Sequence, residues 1–180
     1  MNIIEHQAPN YDGIPTDAPI MFTAGPIQGA PHWQKQVIEI AKDIPADIDT
    51  LHIANPRRET IRVMGDFSDD DYNTQVDWEE VHILRSYKIG GILYWFAAQD
   101  PNEPYEPGRA YAQTTKIELG DTIGMIRAGQ KINVVVGFDP EYKGGSKKYI
   151  AKRAEEFDIP VYSDLYVATT SLIKVIESQQ

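Results

Sequence analysis

The chain of 180 residues contains no cysteine, which excludes a disulfide framework, thiolate nucleophiles and zinc–thiolate sites. It has no apolar run approaching the roughly 18 residues of a membrane span. The opening Met1-Asn-Ile-Ile-Glu-His-Gln-Ala-Pro9 lacks a basic stretch followed by an apolar one, so it does not read as a secretory signal. Basic residues are also short: 17 Lys and Arg face 27 Asp and Glu, a net charge of −10. A phosphate backbone needs a basic face, so nucleic acid is not an expected partner. The expectation is a cytoplasmic protein that meets neither membrane nor nucleic acid. The four histidines, at 6, 32, 52 and 82, have no metal-ligand spacing, and His52 reads as a satisfied core residue. No GxGxxG follows the first strand, and there is neither a Walker A motif nor a Gly-x-Ser-x-Gly elbow. Gly144-Gly-Ser-Lys-Lys148 reads as a loop with Ser146 capping a helix, and Asp69-Asp-Asp71 as a solvated loop whose spacing is not that of a calcium site.

What is present is an alternation of strands and helices. Hydrophobic at 42%, the chain suits one domain, 1–180, with residues 1–18 as an irregular N-terminal arm. Strands are expected at 20–25, 50–54, 90–96, 131–137 and 160–163. Helices are expected at 31–42, 75–85, 117–128, 146–157 and 165–177. Such alternation implies right-handed βαβ units: an α/β fold, a flavodoxin-like (Rossmann-like) three-layer sandwich with a five-stranded parallel sheet. Ligands of such sheets bind outside the carboxyl ends of the strands, at the switch point in strand order. That singles out Gly25-Pro-Ile-Gln28, Asn55-Pro-Arg-Arg58, 97–115 and Phe138-Asp-Pro140.

Chemistry at that edge rests on carboxylates. Glu118 begins the helix after the long post-strand loop, where a carboxylate can attack an anomeric carbon and form an ester that a second acceptor resolves with retention. Locally, Thr115-x-x-Glu118 also reads as a capping box, in which Glu118 only reaches back to the Thr115 amide. Trp78 either stacks on a base or joins the core, and Trp95 reads as core. Arg109 either meets a phosphate or pairs with a surface carboxylate. The loop 99–113, with three prolines, Tyr105 and Tyr111, is a lid or a rigid surface loop.

Taken in order, Phe22-Thr-Ala-Gly-Pro-Ile27, Asn55-Pro-Arg-Arg58, Gln75-Val-Asp-Trp-Glu79, Ile92-Leu-Tyr-Trp-Phe96 and Ile117-Glu-Leu-Gly120 resemble the nucleoside 2-deoxyribosyltransferase family over residues 20–137. The resemblance implies transfer of 2-deoxyribose between nucleobases, with a deoxynucleoside and a free nucleobase as partners, no cofactor and no metal. It implies Glu118 as nucleophile, Gly25, Pro26 and Ile27 lining the base and sugar pocket, and Arg57 and Arg58 facing it. It also implies a carboxylate on the third helix near the nucleoside, Asp77. Shorter family members carry an Asp about six residues before the nucleophile; Ala112 stands there in this chain, so Asp100 or Gln99 is expected to replace it. Trp78 and Thr115 complete the expected substrate contacts. Asp77, Glu80 and Asp100 are candidates for the acid that protonates the leaving base. A homo-oligomer is expected by the same resemblance. Rival readings are a hydrolase of 2′-deoxynucleoside 5′-monophosphates, for which Arg57, Arg58 and Arg109 would grip the phosphate, and a non-catalytic nucleotide-binding module.

Overall fold

A computed structural model describes residues 1–11, 13–58, 68–106 and 108–179; residues 65–67 of the acidic segment and Pro107 of the long loop lie outside them. The elements are β1 (Asn2–Gln7), β2 (Ile20–Ala24), α1 (Trp33–Asp43), β3 (Thr50–Asn55), α2 (Asp69–Lys88) and β4 (Gly90–Phe96). They are followed by α3 (Gln113–Arg127), β5 (Val134–Phe138), α4 (Lys147–Glu155), β6 (Val161–Tyr162) and α5 (Leu165–Glu177). The strands form one parallel sheet in the order β1-β3-β2-β4-β5-β6.

The sheet therefore has six strands, not five. The extra strand lies within the arm read as irregular, and its residues pair in register with β3 from Asn2 opposite Thr50 to Gln7 opposite Asn55. As an edge strand, β1 buries little: Ile4 is exposed and only His6 is buried, so it lacks a hydrophobic signature and is held by its ladder. Counted from β2, the other five strands run 2-1-3-4-5, the flavodoxin-like order, and the winding reverses between β2 and β4.

Strands β2, β4 and β5 are buried along their whole length because helices cover both faces. Leu93 and Trp95 point to the side of α1 and α5, where they meet Trp33, Val37 and Leu172. Ile92, Tyr94 and Phe96 point to the other side, toward Trp78 of α2, Leu119 of α3 and Ile150 of α4. Two helices start earlier than their sequence suggests. Helix α2 begins at the acidic triplet, which is its first turn and not a loop: Ser68 accepts from the Asp71 amide at 3.1 Å, and the Asp71 carboxylate reaches back to the Ser68 amide. Three carboxylates in that turn also suit the positive end of the helix dipole. Its buried stripe is Gln75, Trp78, His82 and Ser86, while Val76, Val81 and Leu84 are exposed, so hydrophobicity alone misreports which way the helix faces. Helix α3 begins at Gln113, after Ala112 in the left-handed conformation (φ 55°).

The rest of the arm is tied to α2. Trp78 Nε1 donates to the Asn10 carbonyl at 2.8 Å, and Arg85 donates to that of Ile14 at 3.2 Å. His52 is buried, as expected, with its Nδ1 2.8 Å from His6 Nε2 across the β1–β3 pair. Among the described residues no helix is long and apolar enough to cross a membrane.

Candidate active site

A cleft of about 370 Å³ opens at the carboxyl edge of the sheet, over the end of β2. That is where the change in winding splays the loops apart. Phe22 and Ala24 form its floor. The β2–α1 turn (Gly25–Gln28), Pro56 and Arg58 after β3, and the inner sides of α2 and α3 form its walls, with Tyr105 and Arg109 closing one side.

Gly25 is there for want of space: a Cβ would fall 2.3 Å from the Trp95 carbonyl oxygen and 2.5 Å from the Trp33 ring. Trp33 in turn donates from Nε1 to the Pro26 carbonyl at 2.9 Å, fixing the turn against the sheet. Gly29, at φ +65°, exchanges two backbone hydrogen bonds with the long loop, donating to Pro104 at 2.9 Å and accepting from Asp100 at 2.8 Å. Tyr105 lies over Gly29 and its hydroxyl donates to the Arg109 carbonyl; Tyr111 donates to those of Ala97 and Ala98 at 3.1 and 3.2 Å. The loop is thus a pinned wall. Arg109 lines the cleft, with Nη1 3.4 Å from Gln28 Oε1.

Two carboxyl groups face this cleft from opposite walls, Glu79 on α2 and Glu118 on α3. Glu118 sits in the second turn of α3, and because the helix begins at Gln113 the capping-box reading of Thr115 and Glu118 does not hold. Thr115 is buried within the first turn and lines the cleft. The Glu118 carboxylate has no hydrogen-bond partner among the described residues. Burial first, then the charges of Glu79 and Asp121, push its pKa up to about 8. Burial likewise raises Glu79 to about 7, against the opposing pull of Gln75 and Arg58. Gln75 is the hinge of a short relay. Its Oε1 accepts from Arg58 Nε at 2.7 Å, while its Nε2 donates to Glu79 Oε1 at 2.7 Å and to the Pro56 carbonyl at 2.8 Å. Arg58 is itself braced by Asp71, 3.4 Å away. Two half-buried carboxyls that feel each other titrate as a pair, and such a pair carries a single proton over part of the neutral range.

Of the residues singled out from sequence, Gly25, Pro26, Ile27, Thr115 and Glu118 converge on the cleft, with Arg58 and Arg109 beside them. The others stand elsewhere. Asp77 is exposed on the outer side of α2, as is Glu80. Trp78 is fully buried beneath the cleft, stacked on His82 with centroids 4.1 Å apart and tilted against Phe22 at 6.3 Å, so it is core. Arg57 is buried behind the wall, donating to the Ala30 and Pro31 carbonyls, both at 3.1 Å, and pairing with Glu103 at 3.5 Å. Asp100 closes a turn on itself, accepting from the Asn102 amide at 2.9 Å. The carboxylate missed from sequence is Glu79. Its signal was the i, i+4 pair with Gln75, on the same side of α2 as Tyr72 and Val76. Among the described residues there is no group of three or more His, Asp or Glu placed to hold a metal ion.

No protein-family model matches the chain, and no curated protein matches it.

Proposed function

We propose that this protein transfers 2-deoxyribose between nucleobases through a covalent ester on Glu118. The observation that carries the reading is that Glu79 and Glu118 line one cleft at the switch point, where burial raises both carboxyls. In the free pair a single proton rests mainly on Glu118, the more strongly raised of the two; the productive form is the tautomer with that proton on Glu79, which leaves Glu118 ionised. A Glu118 oxygen attacks C1′ of the deoxynucleoside, the C1′–N bond breaks, and its electron pair leaves on the base, which takes the Glu79 proton. The sugar becomes cationic on the way, which draws the negative charge of the pair onto Glu118. A second base then attacks C1′ from its ring nitrogen and gives its proton back to Glu79. The ester bond opens, returning its electrons to Glu118, and two inversions give net retention. Transfer in preference to hydrolysis requires that bulk water be kept from the ester, and Tyr105 and Arg109 close one side of the cleft.

The two guanidinium groups in the wall, Arg58 and Arg109, favour a second reading, hydrolysis of 2′-deoxynucleoside 5′-monophosphates, because a phosphate at the sugar 5′ end wants such partners. A cytoplasmic setting and a homo-oligomer belong to both readings. The exposed Tyr72, Val76 and Ile117 at the cleft mouth offer the apolar surface that a second copy would cover.

The test is to incubate the protein with deoxyadenosine and free cytosine, and separately with deoxynucleoside monophosphates, following products by chromatography. New deoxycytidine, abolished by Glu118→Ala, is the expected result. Free base released only from the monophosphates selects the hydrolase instead. Absence of any product in both incubations overturns the enzymatic reading altogether.

A further inference from the structure

We propose that Thr122, with Tyr87 and Tyr94 bound to it, is a positioning residue that fixes where Glu118 stands relative to Glu79. The inference rests on the reading of Glu118 as nucleophile but has its own geometry. Thr122 is completely buried, and its Oγ1 lies 3.0 Å from the Glu118 carbonyl, 2.7 Å from the Tyr94 hydroxyl and 2.8 Å from the Tyr87 hydroxyl. A threonine hydroxyl has one hydrogen and two lone pairs, whereas a carbonyl can only accept. The Thr122 hydrogen therefore goes to the Glu118 carbonyl, and both tyrosines donate into the remaining lone pairs. One oxygen thereby joins α3, the sheet through β4, and α2.

The joint lies at the turn that carries Glu118, and that turn needs it. Gly120 and Gly124 flank Thr122, and a Cβ at either would meet nothing within 4 Å, so no close packing explains them. Each glycine weakens a helix by roughly 0.5–1 kcal/mol relative to alanine. The residues of lowest helix propensity in α3 thus lie in the turns next to Glu118. Tyr87 also lies on the helix of Glu79, two turns further along, so the joint links the supports of both carboxyls. Burial holds both phenols above their ordinary range, and the charge of Glu118 adds to the effect on each.

The test compares Thr122→Val, which keeps the shape and loses the oxygen, with Thr122→Ser, which keeps the hydroxyl. Carbon-13 NMR of labelled glutamate side chains follows the coupled titration of Glu79 and Glu118 in the full-length protein. Base exchange is measured in parallel. The expected outcome for Thr122→Val is a shift of the titration by about half a pH unit or more. A fall in kcat of roughly 10–100-fold, with KM little changed, should accompany it, since small misplacements of reacting groups cost that much; Thr122→Ser should restore both. Tyr87→Phe, which removes one partly buried donor, serves should the valine variant not fold. A titration identical to wild type in the folded variants overturns the proposal, even where the melting temperature falls. A shifted titration in a protein without base exchange upholds the positioning role and overturns the transferase reading alone.

Discussion

Each carboxyl of the pair costs the folded protein something when it ionises, because the charge leaves water for a cleft that already holds a neighbouring carboxyl. For Glu118 the folded pKa, about 8, lies above the ordinary 4.5, so the folded state holds this proton more tightly than the unfolded one. The associated stability is fully present below pH 4.5 and is lost as pH rises through about 8. Glu118→Gln removes a group that charges and keeps its shape. Its melting temperature should match that of wild type below pH 4.5 and exceed it above pH 8. A gain of a few degrees is expected, since about 1 kcal/mol moves a domain of this size by roughly 2–4 °C. Calorimetry across that range checks it, and an equal difference at both ends would contradict it. The place of Glu118 at the cleft was legible in the sequence. The place of Glu79 there was not, because choosing among Asp77, Glu79 and Glu80 requires the rotation of α2 about its axis. Burial of Gln75, His82 and Ser86 with exposure of Val76, Val81 and Leu84 inverts the usual cue for that rotation.

Among elements, the contact between the β2–α1 turn and the long loop sets the shape of the cleft. Gly29 makes it possible twice over, through a positive φ that side chains disfavour and through space, a Cβ there falling 2.9 Å from the Tyr105 ring. Gly29→Val should cost about 1–3 kcal/mol through backbone strain and contact. It should also speed proteolytic cutting within residues 99–113, read by limited digestion and mass mapping. Unchanged cutting and melting would show that the two segments are not coupled. The strongly periodic elements were readable as they stand: β4 and α5 have the same bounds in sequence and structure. Strand β1 was not, since an edge strand shows little hydrophobic alternation. The start of α3 was not either, because Thr115, which looks like a cap, is a buried residue inside the first turn.

At the scale of the whole molecule, a parallel sheet in flavodoxin-like order brings the ends of β2 and β4, far apart in sequence, to one edge and hangs a carboxyl from α2 and another from α3 over it. The order of elements was sufficient to locate that edge. The residues that brace it, Arg58 through Gln75 and Tyr87 and Tyr94 through Thr122, are partners only in three dimensions. A protein of net charge −10 would not repel an uncharged nucleoside. The most direct measurement is to mix the protein with a slowly turned-over deoxynucleoside, quench it with acid, digest it and locate any added deoxyribosyl group by mass spectrometry. The expected result is an adduct on the peptide that contains Glu118, which disappears when free base is added before the quench. Base exchange without any adduct on that peptide, or exchange at the wild-type rate by Glu118→Ala, would contradict a covalent role for this glutamate.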